Sequence, residues 1–226
     1  MKIPTIKFHS LKLNKIIELL IGGNVVLTAA WGFINPFIAV FITEQIKDGS
    51  LFVVGLSSAI YWVVKSSLQM PIAKSLDRLS SEDDEVLSLA LGAIITSFVP
   101  FGYLLADRAA FVYFLSIILA FGDALLVPAW SSIFTRHIDQ GKENVSWGLN
   151  STLCGYVLAA ATLCGGWIGE KIGFQSIFIF AGIINILGAL FFLDLVNHFR
   201  KMPGNKKMTV KEFVNGLHNG IWGRGF

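Results

Sequence analysis

The sequence predicts an all-α integral membrane fold of six transmembrane helices, and three observations predict it. The 226 residues are 54% hydrophobic and 15% charged, with a mean hydropathy of +0.66, against roughly a quarter charged residues in a soluble domain. The charges are gathered into short stretches. Between them lie runs close to the ~20 residues that a helix needs to cross a ~30 Å hydrocarbon core. These runs are long and uniformly apolar, whereas a membrane β-barrel needs short alternating strands.

Taken in order, the first span, Leu19 to Thr43, has no charge, and the second, Leu51 to Ala73, has only Lys65. The third, Val86 to Ala106, is uncharged, and the fourth, Ala109 to Phe134, has only Asp123. The fifth, Gly148 to Gly169, and the sixth, Phe174 to Leu193, are uncharged. This divides the chain into a cytoplasmic N-terminal segment, 1–18, a six-helix transmembrane domain, 19–196, and a basic cytoplasmic tail, 197–226. No signal peptide is expected, because the apolar stretch behind Lys15 is too long and lacks a cleavage-site pattern. Cys154 and Cys164 lie ten residues apart on one predicted helix. That is about 15 Å, too far for a disulfide between them.

Six spans put both termini on one side of the bilayer. Fourteen of the 18 lysines and arginines fall on that side, among them Lys2, Lys7, Lys12, Lys15, Lys74, Arg78, Arg136, Lys142, Arg200, Lys206, Lys207 and Arg224. The other side has Lys47, Arg108 and Lys171, and Lys65 is inside the membrane. Positive charge accumulates in cytoplasmic loops. The chain is therefore expected to be a multi-pass protein of the cell membrane with both termini cytoplasmic. The basic tail reads first as a topology signal and second as a surface for anionic lipid. No nucleic-acid partner is expected.

Polar residues within the spans fall on faces. Asn24, Thr28, Trp31 and Asn35 share one helical face of the first span, and Ser58, Tyr61, Lys65 and Gln69 share one of the second. Ser116, Ala120, Asp123, Val127 and Trp130 do so in the fourth. The fifth has small residues at Gly155, Ala159, Thr162 and Gly166, with Asn150 near its cytoplasmic start. The third has no strongly polar side chain in its middle, and the sixth only Asn185. Unsatisfied polar groups are costly in hydrocarbon. Spans 1, 2, 4 and 5 are therefore predicted to surround something polar, with apolar spans 3 and 6 outside them, facing lipid. The small-residue stripe reads as close helix packing. The stripe of the first span fits either helix–helix hydrogen bonding or a cavity wall.

Lys65 follows Leu51 by fourteen residues, and Asp123 follows Ala109 by the same number. Both spans run inward, so both charges lie about 21 Å from the outer ends, at equal depth. An ion pair is predicted. It reads as a functional site by its intramembrane location, or as a structural pair holding two helices together.

At this point the sequence resembles the N-terminal six-helix half of the twelve-helix transporters of the major facilitator superfamily, from about Lys15 to Arg200. The first span, "NVVLTAAWGFINPFIAVFI", is similar to that family's first helix, with Gly32 and Pro36. "AKSLDRLS" resembles the G-x-L-A-D-R-x-G loop between helices 2 and 3, matching at Asp77 and Arg78. Ala73 and Ser80 stand at the glycine positions, and "SEDDE" replaces the basic residues that follow. "ILAFGDALLVPAW" is similar to the R-x-x-Q-G pattern followed by proline; Gly122 and Pro128 match, and Ile118 replaces the arginine. "AATLCGGWIGEKIGFQSIF" looks like the G-P-x-x-G-G motif, with Gly165 and Gly166 matching and Ala161-Thr162 in place of Gly-Pro. The resemblance implies two inverted three-helix repeats. It also implies helices 1 and 4 at a central cavity, and Asp77 and Arg78 in a cytoplasmic gate loop.

These readings together predict a half-sized secondary transporter of a small molecule or ion, working in the bilayer as a parallel homodimer by alternating access. Its substrate or ion pathway is expected along Asn24, Thr28, Trp31, Asn35, Ser58, Tyr61, Lys65, Gln69, Asp123, Trp130 and Asn150. The alternative is a non-transporting accessory or scaffold protein on the same fold, favoured by the altered signature loops. The tail "TVKEFVNGLHNGIWGRGF" is too short and glycine-rich for a seventh span. With Val210, Phe213, Val214, Leu217 and Ile221 near one face, it reads as an interfacial amphipathic segment or a disordered tail. No enzyme activity, cofactor or metal site is expected. His9, His137, His198 and His218 lie in or near cytoplasmic segments, and no ligand spacing or nucleophile motif is present.

Overall fold

A computed structural model describes residues 14–78, 82–201 and 209–222, with side chains up to Leu217. Lys2, Lys7, His9, Lys12, Ser80, Ser81, Lys206, Lys207 and Arg224 lie outside the described residues, as do the side chains of His218 and Ile221. The described residues form α1 (Lys15–Ile34), α2 (Ile38–Gln45), α3 (Leu51–Arg78), α4 (Glu82–Tyr103), α5 (Ala109–His137), α6 (Glu143–Ile172), α7 (Phe174–Arg200) and α8 (Val210–Trp222). Six helical segments are long and apolar enough to cross a membrane, with α1 and α2 together making the first. The end with the α2–α3, α4–α5 and α6–α7 turns is called the outer end here, after the charge asymmetry.

The spans pack in one order, α3–α5–α4–α7–α1–α6. Exchanging α1 with α5, α3 with α6 and α4 with α7 reverses this order and leaves it unchanged. An internal twofold between inverted repeats requires that pattern. α4 and α7 form the back of the unit, and α3 and α6 are its two free ends.

Two sequence expectations change. The first span is not one helix, since it breaks at Asn35–Phe37. Pro36 has no N–H to offer the Gly32 carbonyl four residues earlier. The hydroxyl of Thr162 on α6 donates to that carbonyl instead, at 3.3 Å. Close approach makes this bond possible: a Cβ on Gly32 would lie 2.9 Å from that of Ala161.

The second change concerns the third span. Expected at the periphery facing lipid, it forms the most buried of the six helices, α4. It is packed between α5 and α7, and α8 touches it as well. Its small and hydroxyl residues allow this. Gly92 and Gly122 let α4 and α5 cross so closely that a Cβ on Gly92 would meet the Gly122 carbonyl at 2.6 Å. Ser88 donates across the same crossing to Leu125 O at 3.0 Å, and Thr96 and Ser97 bond their own helix at Ala93 O. α7, in contrast, exposes a broad apolar face including Ile183, Ile186, Leu187 and Leu190. Its Asn185 is fully buried, and neither amide atom has a hydrogen-bond partner among the described residues.

Of the two readings of the tail, the structure takes the helical one over Val210–Trp222. Thr209 and Glu212 cap α8 reciprocally: Thr209 N donates to Glu212 Oε2 at 2.8 Å, and Glu212 N to Thr209 Oγ1 at 3.3 Å. Phe213 is buried in the core cluster at the end opposite the outer end and Leu217 packs against it, whereas Val210 and Val214 are exposed.

The acidic replacement after Arg78 also finds its physical reason. Glu82, Asp83, Asp84 and Glu85 form the first turn of α4, where negative charge complements the helix dipole. The Arg136 guanidinium at the end of α5 grips the buried Glu85 with two hydrogen bonds, 2.8 and 2.9 Å long, and donates to Glu82 at 2.8 Å. Such two-pronged charged bonds are the strong ones. They fasten α5, which carries Asp123, to α4.

Candidate functional site

α1, α2, α3 and α5 enclose an open cavity of about 370 Å³ in the outer half of the unit. The break in the first span bends α2 over its outer end, so Ile38 and Ile42 line it beside Trp31 and Asn35. α3 contributes Ser57, Ser58, Tyr61 and Trp62, α5 contributes Ser116 and Asp123, and Tyr103 comes from the end of α4. The walls are largely aromatic and aliphatic with a few convergent polar groups, which is the usual constitution of a small-molecule site.

The cavity ends inward at a connected group. The Tyr61 hydroxyl donates to Asp123 Oδ2 at 2.5 Å. Lys65 Nζ donates to the same hydroxyl at 3.0 Å and stands 3.7 Å from Asp123 Oδ2. The ammonium also sits over the Tyr61 and Trp62 rings, at 5.3 and 5.2 Å. Equal depth on α3 and α5 therefore does bring the two charges together. The periodicity that put Tyr61 one turn before Lys65 put its phenol between them. The group can hold a net neutral charge in the membrane and present a carboxylate, a phenol and an aromatic face to a solute.

On the side of this group away from the outer end, the polar residues bond one another and fill the gaps between helices. The Asn24 amide donates to Asn150 Oδ1 at 3.0 Å and to Cys154 Sγ at 3.4 Å, and Thr28 donates to the same sulfur at 3.6 Å. Trp130 is buried, donates through Nε1 to Leu20 O at 3.2 Å, stacks on Phe134 at 4.6 Å and meets Trp147 edge-on at 5.8 Å. Its indole thus fills the space between α5, α1 and α6. Gln69 is half-buried on α3, and Asp77 and Arg78 are exposed at that helix's end. None of these residues lines the outer cavity.

Of the expected pathway residues, the cavity gathers Trp31, Asn35, Ser58, Tyr61 and Asp123, with Lys65 behind them. It adds Ser57, Trp62, Ser116 and Tyr103. Ser116 already marks the polar face of its span, and Ser57 and Trp62 each adjoin a residue of the α3 stripe. Tyr103 closes a span with no polar periodicity, so no sequence signal marks it.

α3 and α6 are the least buried spans. A Cβ on Gly55, Gly148 or Gly155 would meet nothing. Gly55 and Ala59 on α3, and Gly155 and Ala159 on α6, are exposed small residues four apart, a spacing that lets membrane helices approach closely. Trp62, Val63 and Met70 on α3, and Tyr156, Leu163 and Trp167 on α6, are exposed around them.

The family model described as Major Facilitator Superfamily matches residues 20–223. A proton-coupled antiporter flippase, LtaA, of Staphylococcus haemolyticus (strain JCSC1435) is 26% identical over 100 residues, which is 44% of this chain and 25% of that protein. The match thus spans about a quarter of the relative's length. No solved structure matches.

Proposed function

The chain belongs to the major facilitator superfamily, and from that premise we propose that its six helices are one half of a secondary active transporter of a small solute. A second copy in the same orientation completes it, and the pair works by alternating access. The observation that carries this reading is the outer cavity ending at Tyr61, Asp123 and Lys65. Trp31, Asn35, Ser58 and Tyr61 contact the solute. Asp123, countered by Lys65, is the group whose charge a coupled ion changes.

The unpartnered ends of the helix arc support the dimer. A twofold axis along the membrane normal brings α3 of one copy to α6 of the other at both seams. The exposed glycine–alanine pairs then meet, and the two cavities join. Membership in this family and the similarity to a proton-coupled flippase make a proton the first coupling ion to test and an amphiphilic lipid one candidate cargo. Both termini, and the gate residues Asp77 and Arg78, are assigned to the cytoplasm of a cell-membrane protein.

The test is flux into liposomes with and without a proton gradient, over a panel of sugars, amino acids, organic cations and a fluorescent lipid. A Cys154→Ser/Cys164→Ser background allows single cysteines to be added. Gradient-dependent flux of at least one panel member is expected, reduced at least tenfold by Asp123→Asn. Copies carrying Ala59→Cys are expected to cross-link to copies carrying Ala159→Cys, but not to copies carrying Ile94→Cys. A cysteine at position 108 is expected to label from outside, and labelling only from the cytoplasm overturns the orientation. Absence of both flux and cross-links leaves the accessory-protein reading, with Lys65–Asp123 as a structural pair.

A further inference from the structure

The wall of the central cavity has a charge of one sign. Asp123 lines it, and among the described residues no lysine, arginine or histidine does. Lys65, the partner of that carboxylate, stands behind it. The pair is neutral as a whole, but it turns its negative end to the cavity. The carboxylate is also only half used. Tyr61 and Lys65 both reach it through Oδ2. Among the described residues nothing bonds Oδ1, and that atom is not buried.

The rings beside this carboxylate add to the same field. Trp31 and Tyr61 are half-buried and Trp62 is exposed, so each has surface to offer a solute. Tyr61 and Trp62 meet edge-on at 5.1 Å, with their planes 76° apart. The face of an aromatic ring is its negative part. These two rings already hold an ammonium, since Lys65 Nζ lies 5.3 and 5.2 Å from their centroids. The chain itself thus supplies one ammonium to Asp123, Tyr61 and Trp62, just inward of the cavity.

Three classes of solute fare differently here. An anion would lose hydration against a carboxylate, with no cation in the wall to answer it. An uncharged solute would fit the apolar surface but leave Oδ1 unanswered. A quaternary ammonium meets aromatic faces of the kind that recognise it, and Oδ1 answers its charge. Resting on the transporter reading above, we propose that the solute of the central cavity is an organic monocation of the quaternary ammonium kind. Asp123 Oδ1 and the faces of Trp31, Tyr61 and Trp62 hold it, and Lys65 is the internal counter-charge that keeps the empty site neutral.

Equilibrium binding of radiolabelled choline and of radiolabelled benzyltrimethylammonium is measured on the whole chain in nanodiscs, with no ion gradient and with empty discs subtracted. Discs of phosphatidylethanolamine and phosphatidylglycerol keep quaternary ammonium headgroups out of the lipid. Saturable binding of at least one cation is expected. Neohexyl alcohol, in which carbon replaces the choline nitrogen, and the anion tert-butylacetate should each compete at least tenfold less well than unlabelled choline. Binding should weaken at least tenfold in Asp123→Asn. It should weaken at least threefold in Trp62→Leu, which keeps an apolar side chain but removes the ring. Trp62 is exposed, so its variant keeps the test open even where Asp123→Asn does not fold. Saturable binding of neither cation, equal competition by the uncharged or the anionic analogue, or unchanged binding in Trp62→Leu each overturns the assignment. The two readings fail separately. Gradient-driven flux of an uncharged solute without cation binding sinks the monocation alone, and cation binding without any flux sinks the transporter alone.

Discussion

Asn24 and Asn35 share one face of the first membrane span, eleven residues apart, and have opposite fates. Away from the outer end, Asn24 and Thr28 are engaged by Asn150 and Cys154 of α6. Toward the outer end, Trp31 and Asn35 border a cavity. The face is continuous, and what stands opposite it differs. At the level of Asn24 the Trp130 indole fills the gap to α5 and bonds Leu20 O. At the outer level α5 presents Asp123, Leu119 and Ser116, which leave it open. A polar stripe in a membrane helix is thus a structural seam where a bulky neighbour closes on it, and a candidate site where none does.

The largest expected effect is at the filled level. Trp130→Ala removes a buried ring and the indole N–H that bonds the Leu20 carbonyl. It should cost about 3–5 kcal/mol, read as a lower melting temperature in detergent. Trp31→Ala, at the cavity, should cost clearly less. Equal losses would break the comparison, because the outer level would then be core as well.

Next is the pair at the boundary. Removing one member of a buried ion pair strands the other, at about 3 kcal/mol. Lys65→Ala and Asp123→Ala should therefore each destabilise more than the double variant does. The partial exposure of both side chains keeps the figure toward the lower end. Strictly additive losses in the double-mutant cycle would mean that the two charges do not interact.

The smallest effect sharpens the contrast within α1. Asn24→Ala leaves Asn150 Oδ1 with only the Cys154 thiol, 3.9 Å away, as a donor, at about 1–2 kcal/mol. Asn35→Ala, exposed and without a side-chain partner among the described bonds, should stay within about 0.5 kcal/mol. A melting loss for Asn35→Ala as large as that for Asn24→Ala would erase the distinction between seam and cavity.

Much of this architecture is legible in the chain because the membrane simplifies the problem. Backbone groups in hydrocarbon must be satisfied within the segment, so an uncharged run of sufficient length is a helix whatever its neighbours are. The equal depths of Lys65 and Asp123 follow from rise per residue alone. Pro36 is likewise visible in the sequence, but the position of the broken-off α2 depends on the α1–α6 crossing at Gly32 and Ala161. Ser88, Thr96 and Ser97 lie in a span that reads as apolar and peripheral. Hydroxyls can bond nearby carbonyls, so they give no sign of the burial that α5 and α7 impose on α4.

The sequence by itself determined the six spans, the asymmetry of charge around them, the polar faces, and the pairing of one lysine with one aspartate. All of these are local periodicities or distances along a helix axis. Only the tertiary structure decided that the acidic turn at Glu82–Glu85 is answered by Arg136, that Tyr61 stands between the two charges, that Trp130 closes one half of the stripe, and that Tyr103 from the end of α4 lines the cavity. Each of these joins residues tens of positions apart, and each depends on how large side chains fill the space between helices. That filling is a property of packing in three dimensions, and no period in the chain encodes it.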